Sequence, residues 1–184
     1  RNPFFFPGTK TLAFEVCEQL GWKTPDTMVL PVGNGSLLLG VYLGFGELCR
    51  AGIIDKMPRL IGVQAEHCPP LYRAFRENLA EVPGIRAQKT MAEGIAVAMP
   101  IRGKQILEAV RRTGGDFIAV AEEEIKPALA EMCRKGHYIE PTSAVAVAGV
   151  KKYLLQCPGR RQGAGGREVI VTVFTGHGLK AGPA

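Results

Sequence analysis

Four short apolar runs, "TMVLPV", "RLIGVQAE", "DFIAVA" and "VIVTVF", punctuate the chain, and the first three are each followed by a stretch patterned as a helix. No feature constrains the fold more. A run buried on both faces needs cover on both faces, and helices between successive strands supply it by crossing over between parallel neighbours. The expected class is therefore α/β: three layers, αβα, around a mostly parallel sheet. "KTLAFEVCEQLGW" spaces Leu12, Phe14, Val16, Cys17 and Leu20 as an amphipathic helix that Gly21 stops. "SLLLGVYLGFGELCRAG" is long enough for a buried helix, and "PPLYRAFRENLAEV" opens one with proline in its first turn. "EEEIKPALAEMCRKG" has an acidic start and a basic end that complement a helix dipole. "EPTSAVAVAGVKKYLLQ" again places proline near its start. "CPGRRQGAGGRE" is expected to be a flexible surface loop, and "VIVTVF" a buried strand.

At 184 residues the chain suits one domain or a large piece of one, and 46% apolar content allows a sizeable core. The net charge of +6 is scattered in doublets such as Arg111-Arg112 and Lys151-Lys152, with no basic stripe interleaved with aromatics. That argues against a nucleic-acid partner. Five cysteines (17, 49, 68, 133, 157), odd in number and without a CxxC pair, support neither a disulfide framework nor a metal site. Reduced thiols fit a cytoplasmic protein, and "FFF" at residues 4–6 is too short for a membrane segment. The abrupt start and the low strand count lead us to expect part of a larger chain.

In parallel sheets, ligands sit beyond the carboxyl ends of strands. "PVGNGS" occupies such a place, between a strand and a helix start. The backbone N–H groups of Gly33, Asn34, Gly35 and Ser36 can converge there on a phosphate, helped by the helix dipole. The same pattern also reads as a tight turn with Asn34 and Ser36 as caps. The loop matches neither the Walker sequence nor GxGxxG. Thr175, directly after the last apolar run, places a hydroxyl at a second carboxyl end. The only serines, Ser36 and Ser143, do not lie in GxSxG, and the histidines (67, 137, 177) are not spaced as a metal set. Glu122, Glu123 and Glu124 read most simply as the solvated start of a helix.

Taken together, "NPFFFPGTKTLAFEVCEQLGWKTPDTMVLPVGNGSLLLG", "PRLIGVQAE", "GGDFIAVAEEEI", "EPTSAVAVAGV" and "VFTGHGLK" resemble threonine synthases and their relatives. These are the fold type II, or tryptophan-synthase-β-like, pyridoxal-phosphate enzymes. The resemblance implies pyridoxal 5′-phosphate as cofactor, with its phosphate held by Gly33, Asn34, Gly35, Ser36 and Leu37 and its pyridine nitrogen met by Thr175. A neutral hydroxyl there is expected not to hold a proton on the nitrogen, leaving a weaker electron sink. It further implies a homodimer, an amino-acid substrate, and a lyase converting O-phosphohomoserine and water to threonine and phosphate. The family's Schiff-base lysine lies upstream in a Ser-x-Lys segment that nothing here matches, and Lys10 aligns with a non-catalytic stretch. Residues 1–184 are thus expected to be the C-terminal portion of the catalytic region, with the catalytic lysine outside this chain. Two departures stand out: "GNGSL" where threonine synthases carry "GNAGN" or "GNGGN", and "TMAEGIAVAMPIRG", which resembles the "T.ADGIAV" of serine and threonine dehydratases, with Glu93 in place of aspartate. Dehydration or another β-replacement is therefore the alternative reaction, and a non-catalytic module binding a phosphate ligand or partner a third reading.

Overall fold

The computed structural model of the chain describes residues 5–156, 162–163 and 166–181. Three of the apolar runs become strands close to their predicted bounds: β1 (Thr27–Pro31), β2 (Arg59–Ala65) and β3 (Asp116–Val120). Two residue pairs, β4 (Gln162–Gly163) and β5 (Gly166–Arg167), form a small antiparallel ladder, and β6 (Ile170–Thr172) ends the series. The main sheet has the order β3-β2-β1-β6, and all of its pairings are parallel. The helices are α1 (Phe5–Gly8), α2 (Thr11–Gln19), α3 (Ser36–Arg50), α4 (Pro70–Arg76), α5 (Gly103–Arg112), α6 (Glu122–Arg134) and α7 (Pro141–Gln156).

Alternation along the strands builds two cores. Met28, Leu30, Leu60 and Phe117 face α2–α5, packing with Cys17, Phe45, Leu71 and Ile106. Val29, Ile61, Val63, Ile118 and Val120 face the opposite way, onto Ile125 and Ala128 of α6 and Ala144, Val145 and Ala148 of α7. Strands buried on both faces are what near-continuous apolar runs require, and the three-layer αβα expectation holds.

The structure corrects the sequence reading in several places. "VIVTVF" forms a strand over Ile170–Thr172 only, and these residues are half-buried, because among the described residues β6 lies at the edge of the sheet and pairs on one side alone. α4 stops at Arg76, where Asn78 turns the chain with φ of 53°. α5, for which no element was expected, buries Ile106, Leu107 and Val110 at helical spacing. Most of the Gly/Arg-rich segment, residues 157–161 and 164–165, lies outside the described residues. Among the described residues, no helix is long and apolar enough to cross a membrane.

Candidate functional site

The chain moves from β1 to β2 and β3 on one side, and β6 returns to the other side of β1. The carboxyl ends of β1 and β6 therefore flank the point where the strand order reverses, the place where open α/β sheets receive ligands. Val32 still pairs as strand, its N–H donating to Val63 O at 2.9 Å. The side chain of Gln64, fully buried, donates to Val32 O at 3.1 Å and accepts from Leu71 N and Tyr72 N at 2.9 and 3.0 Å. This clamp ties the base of the loop to the start of α4.

The loop then turns at Gly35, which has φ of +77° and serves as the N-cap of α3 without any side-chain hydrogen bond. Asn34 and Ser36 do not cap this helix, so the caps expected of a simple turn are not formed. Among the described residues, no acceptor is recorded for the amides of Gly33, Asn34, Gly35, Ser36 or Leu37; the first bond of the helix is Leu39 N to Gly35 O at 2.9 Å. An uncapped helix start leaves its donors open to a ligand and carries roughly half a positive charge. Side chains larger than hydrogen are crowded at both glycines too. A Cβ on Gly33 would lie 3.0 Å from Ile95 Cα, and one on Gly35 would run into the Ile106 side chain.

The second loop is fixed by α7. Glu140 N donates to Gly176 O at 3.0 Å, and Ile139 bridges His177 antiparallel. Thr175 Oγ1 donates to Glu140 Oε1 at 2.8 Å and lies 3.2 Å from Ser143 Oγ, which itself accepts from Gly176 N at 3.3 Å. Pro141 at the first helical position projects Glu140, Thr142 and Ser143 at the carboxyl ends of the strands.

Gly33, Asn34, Gly35, Ser36, Leu37 and Thr175 all line one cleft of about 250 Å³, with Gly94, Ile95, Glu140 and Thr142 among its other walls. Thr142, only 9% exposed as a residue, also lines the cleft. Among the described residues, no lysine or arginine borders this cleft, so the donors it offers an anion are neutral amides and hydroxyls. A larger cavity of about 780 Å³, lined by Met91, Glu93, Lys126, Cys133, Tyr138 and Lys180, lies against α6. None of the six predicted residues borders it.

Gly94 and Ile95 reach the cleft because α6 holds their loop. Glu122 accepts from the Thr90 hydroxyl and from Met91 N, the latter at 3.0 Å, while His67 Nδ1 meets Lys89 O at 2.5 Å. Glu124 accepts from Ala121 N at 2.8 Å and pairs with Lys152 at 2.9 Å. Burial pushes the Glu124 carboxyl up, but that N–H and Lys152 outweigh it and leave the group below its ordinary value. Glu122 and Glu124 are thus structural partners, and only Glu123 stands as an exposed acid of the helix start. Sequence reasoning missed Gly94, Ile95, Glu140, Thr142 and Ser143; the signal available was proline at the first turn of α7, directly after Glu140. The described cysteines are free, and burial pushes the Cys17 and Cys68 thiols up, which makes both poor nucleophiles. Among the described residues, no cluster of metal-ligating side chains occurs.

A family model described as "Pyridoxal-phosphate dependent enzyme" matches residues 1–176. The threonine synthase of Methanocaldococcus jannaschii is 39% identical over 180 residues, which are 97% of this chain and 43% of that protein. That of Mycobacterium tuberculosis is 36% identical over 180 residues, 97% of this chain and 46% of that protein. The chain therefore spans less than half the length of these curated relatives. Solved structures with the same fold include the processed form of threonine deaminase isoform 2 from Solanum lycopersicum, with a TM-score of 0.72 and 23% identity, covering 92% of this chain and 45% of that one. A fungal L-serine ammonia-lyase from Rhizomucor miehei superposes with a TM-score of 0.77 at 18% identity, covering 96% of this chain and 53% of that one.

Proposed function

We infer the function of this chain from one premise: it belongs to the pyridoxal-phosphate-dependent enzyme family, whose model spans residues 1–176. The cofactor of that family is pyridoxal 5′-phosphate, and the cleft has features that suit it. An uncapped helix start, two glycines at which a Cβ would be crowded, and the Thr142 side chain form a donor-rich cradle. We propose that Gly33, Asn34, Gly35, Ser36 and Leu37 hold the cofactor phosphate through backbone N–H groups and the α3 dipole, and that Thr175 meets the pyridine nitrogen. Bound there, the cofactor would supply an electron sink for bond breaking at the substrate's α-carbon.

The reading best supported is the threonine synthase type: O-phosphohomoserine and water to threonine and phosphate. Its support is the 36–39% identity to threonine synthases along 97% of the chain. The observation that carries the site is the meeting of two loops, distant in sequence, in a single cleft. In this proposal residues 1–184 are the C-terminal portion of the catalytic region, and the lysine that binds the cofactor covalently comes from a segment outside them. A homodimer and a cytoplasmic setting belong to the same proposal. The deciding assay joins this chain to a lysine-bearing segment of a threonine synthase and follows phosphate release from O-phosphohomoserine. Phosphate release with threonine formation supports the reading; a cofactor-loaded protein that releases only 2-oxo acid from threonine or serine removes it.

Dehydration is the second reading. The "TMAEGIAV" segment, which resembles that of dehydratases, is the one that brings Gly94 and Ile95 into the cleft wall. The same assay separates the two reactions by product.

A further inference from the structure

We propose that Thr9 is a positioning residue that strengthens one donor of the phosphate cradle from behind, through the Ser36–Leu37 peptide. This rests on the reading that Gly33 to Leu37 hold the cofactor phosphate. Thr9 and Lys10, from the "GTKT" stretch, form the turn between α1 and α2. The turn is seated on α3, where Gly40 and Gly44, about one helical turn apart, leave room for it. A Cβ on Gly40 would lie 2.0 Å from Thr9 Oγ1 and 2.9 Å from Thr9 C, and one on Gly44 would lie 2.5 Å from Lys10 O. Lys10 pins the turn further by pairing with Glu47 of α3 at 2.9 Å. So seated, Thr9 Oγ1 donates to Ser36 O at 3.1 Å across 27 residues of sequence.

Ser36 O and the Leu37 N–H are the two ends of one planar, conjugated amide. The oxygen has two lone pairs; the helix ladder directs one to the amide of Gly40, and Thr9 takes the other. A hydrogen donated to the oxygen draws electron density away from the nitrogen, which makes the N–H a stronger donor. Hydrogen bonds linked in this way reinforce one another by about 10–30% each. Leu37 lines the cleft and is the second residue of α3, where amides have no partner within the helix. Among the described residues the cleft has no lysine or arginine wall, so an anion there depends on the strength of each amide. Thr9 thus acts on the phosphate without touching it.

The test uses pyridoxine 5′-phosphate, which carries the cofactor's ring and phosphate without the aldehyde and is therefore independent of any lysine. The chain and its variants, labelled with nitrogen-15 and carbon-13, are titrated with it while the Leu37 amide and Ser36 carbonyl resonances are followed. Thr9→Val keeps the shape and removes the hydroxyl, so it should move both resonances upfield in the ligand-free chain. It should also weaken binding of the probe by about two- to fourfold, the share that polarisation adds to a charge-assisted bond. Thr9→Ser, which keeps the hydroxyl, should restore both the resonances and the affinity. Should Thr9→Val not fold, Thr9→Ala carries the same two readouts. A merely structural role would lower stability toward urea and leave the two resonances in place, and that outcome overturns the proposal. A variant without the hydroxyl that binds the probe as tightly as the unsubstituted chain also overturns it, while the phosphate cradle survives. Failure of the unsubstituted chain to bind pyridoxine 5′-phosphate overturns the cradle, and this proposal with it.

Discussion

Glu168 gathers three donors on one carboxylate oxygen: Thr27 Oγ1 and Arg59 Nη2 at 2.6 Å, and Tyr153 OH at 2.8 Å. Its side chain is 4% exposed, and burial pushes the Tyr153 hydroxyl up. The cluster joins β1, β2 and α7 to Glu168, two residues before β6, at the end of the sheet opposite the cleft. Glu168→Gln removes the buried charge and leaves the half-buried Arg59 without its counter-ion, so a loss of about 1–3 kcal/mol in urea unfolding is expected. A loss under about 1 kcal/mol would mean that water at the exposed part of Arg59 replaces the pair. Gly35→Val is expected to destabilise by about 1–3 kcal/mol, since φ of +77° is strained for a β-branched residue and Ile106 occupies the space. It should also remove binding of pyridoxal phosphate, read by equilibrium dialysis; a folded variant that retains the ligand would reduce this loop to a turn. The glycine loop at the carboxyl end of β1 was legible at this scale because glycines after an apolar run announce themselves locally. Glu140 and Thr142 were not, because their meaning depends on a loop more than thirty residues away in sequence that only the fold brings beside them.

Between elements, α6 and α7 are joined by Glu131, which pairs with Lys135 at 2.6 Å and with Lys151 across the interface. Hydrogen bonds from Lys135 and Lys151 pull the Glu131 carboxyl from 4.5 down to about 2. The folded pKa lies below the unfolded one, so the stabilisation is present above the ordinary value and is lost as pH falls from about 4.5 toward about 2. A carboxyl titration by nuclear magnetic resonance should place the Glu131 midpoint near 2, and Lys151→Met should move it upward. α2 and α3 approach closely enough that a Cβ on Gly44 would sit 2.5 Å from Lys10 O and 2.7 Å from Ala13 Cβ. Gly44→Leu is therefore expected to force the two helices apart, costing about 1–3 kcal/mol in thermal or urea unfolding. Elements whose pattern is local were readable: α2, α3, α6 and α7 follow their apolar spacing and proline positions. β6 was placed correctly but given too much burial, since an apolar run reads the same at the edge of a sheet as at its centre. α5 carried a clear helical spacing that lay between two more conspicuous segments.

For the whole molecule, the sheet closes through very unequal loops. β1 pairs with β2 across about thirty residues, whereas Val29 meets Thr172 across 143. Long-range parallel pairing is slow to form and, at an edge, easy to open. Hydrogen exchange should accordingly find the amides of Ile170–Thr172 less protected than those of Arg59–Ala65; equal protection would show that β6 opens only with the entire sheet. The parallel layering was legible in the alternation of segments, but the strand order was not, because residue patterns specify burial and not neighbours.

The cleft has one wall after β1 and another after β6, so a ligand that touches both bridges the most distant strand pairing among the described residues. Such a ligand acts as a fastener on the closing strand as well as a reagent. At a hundred times its dissociation constant it would add about 2.7 kcal/mol to whatever holds that edge shut. Occupancy of the site would then report that the sheet has been completed, coupling readiness for chemistry to the last step of assembly.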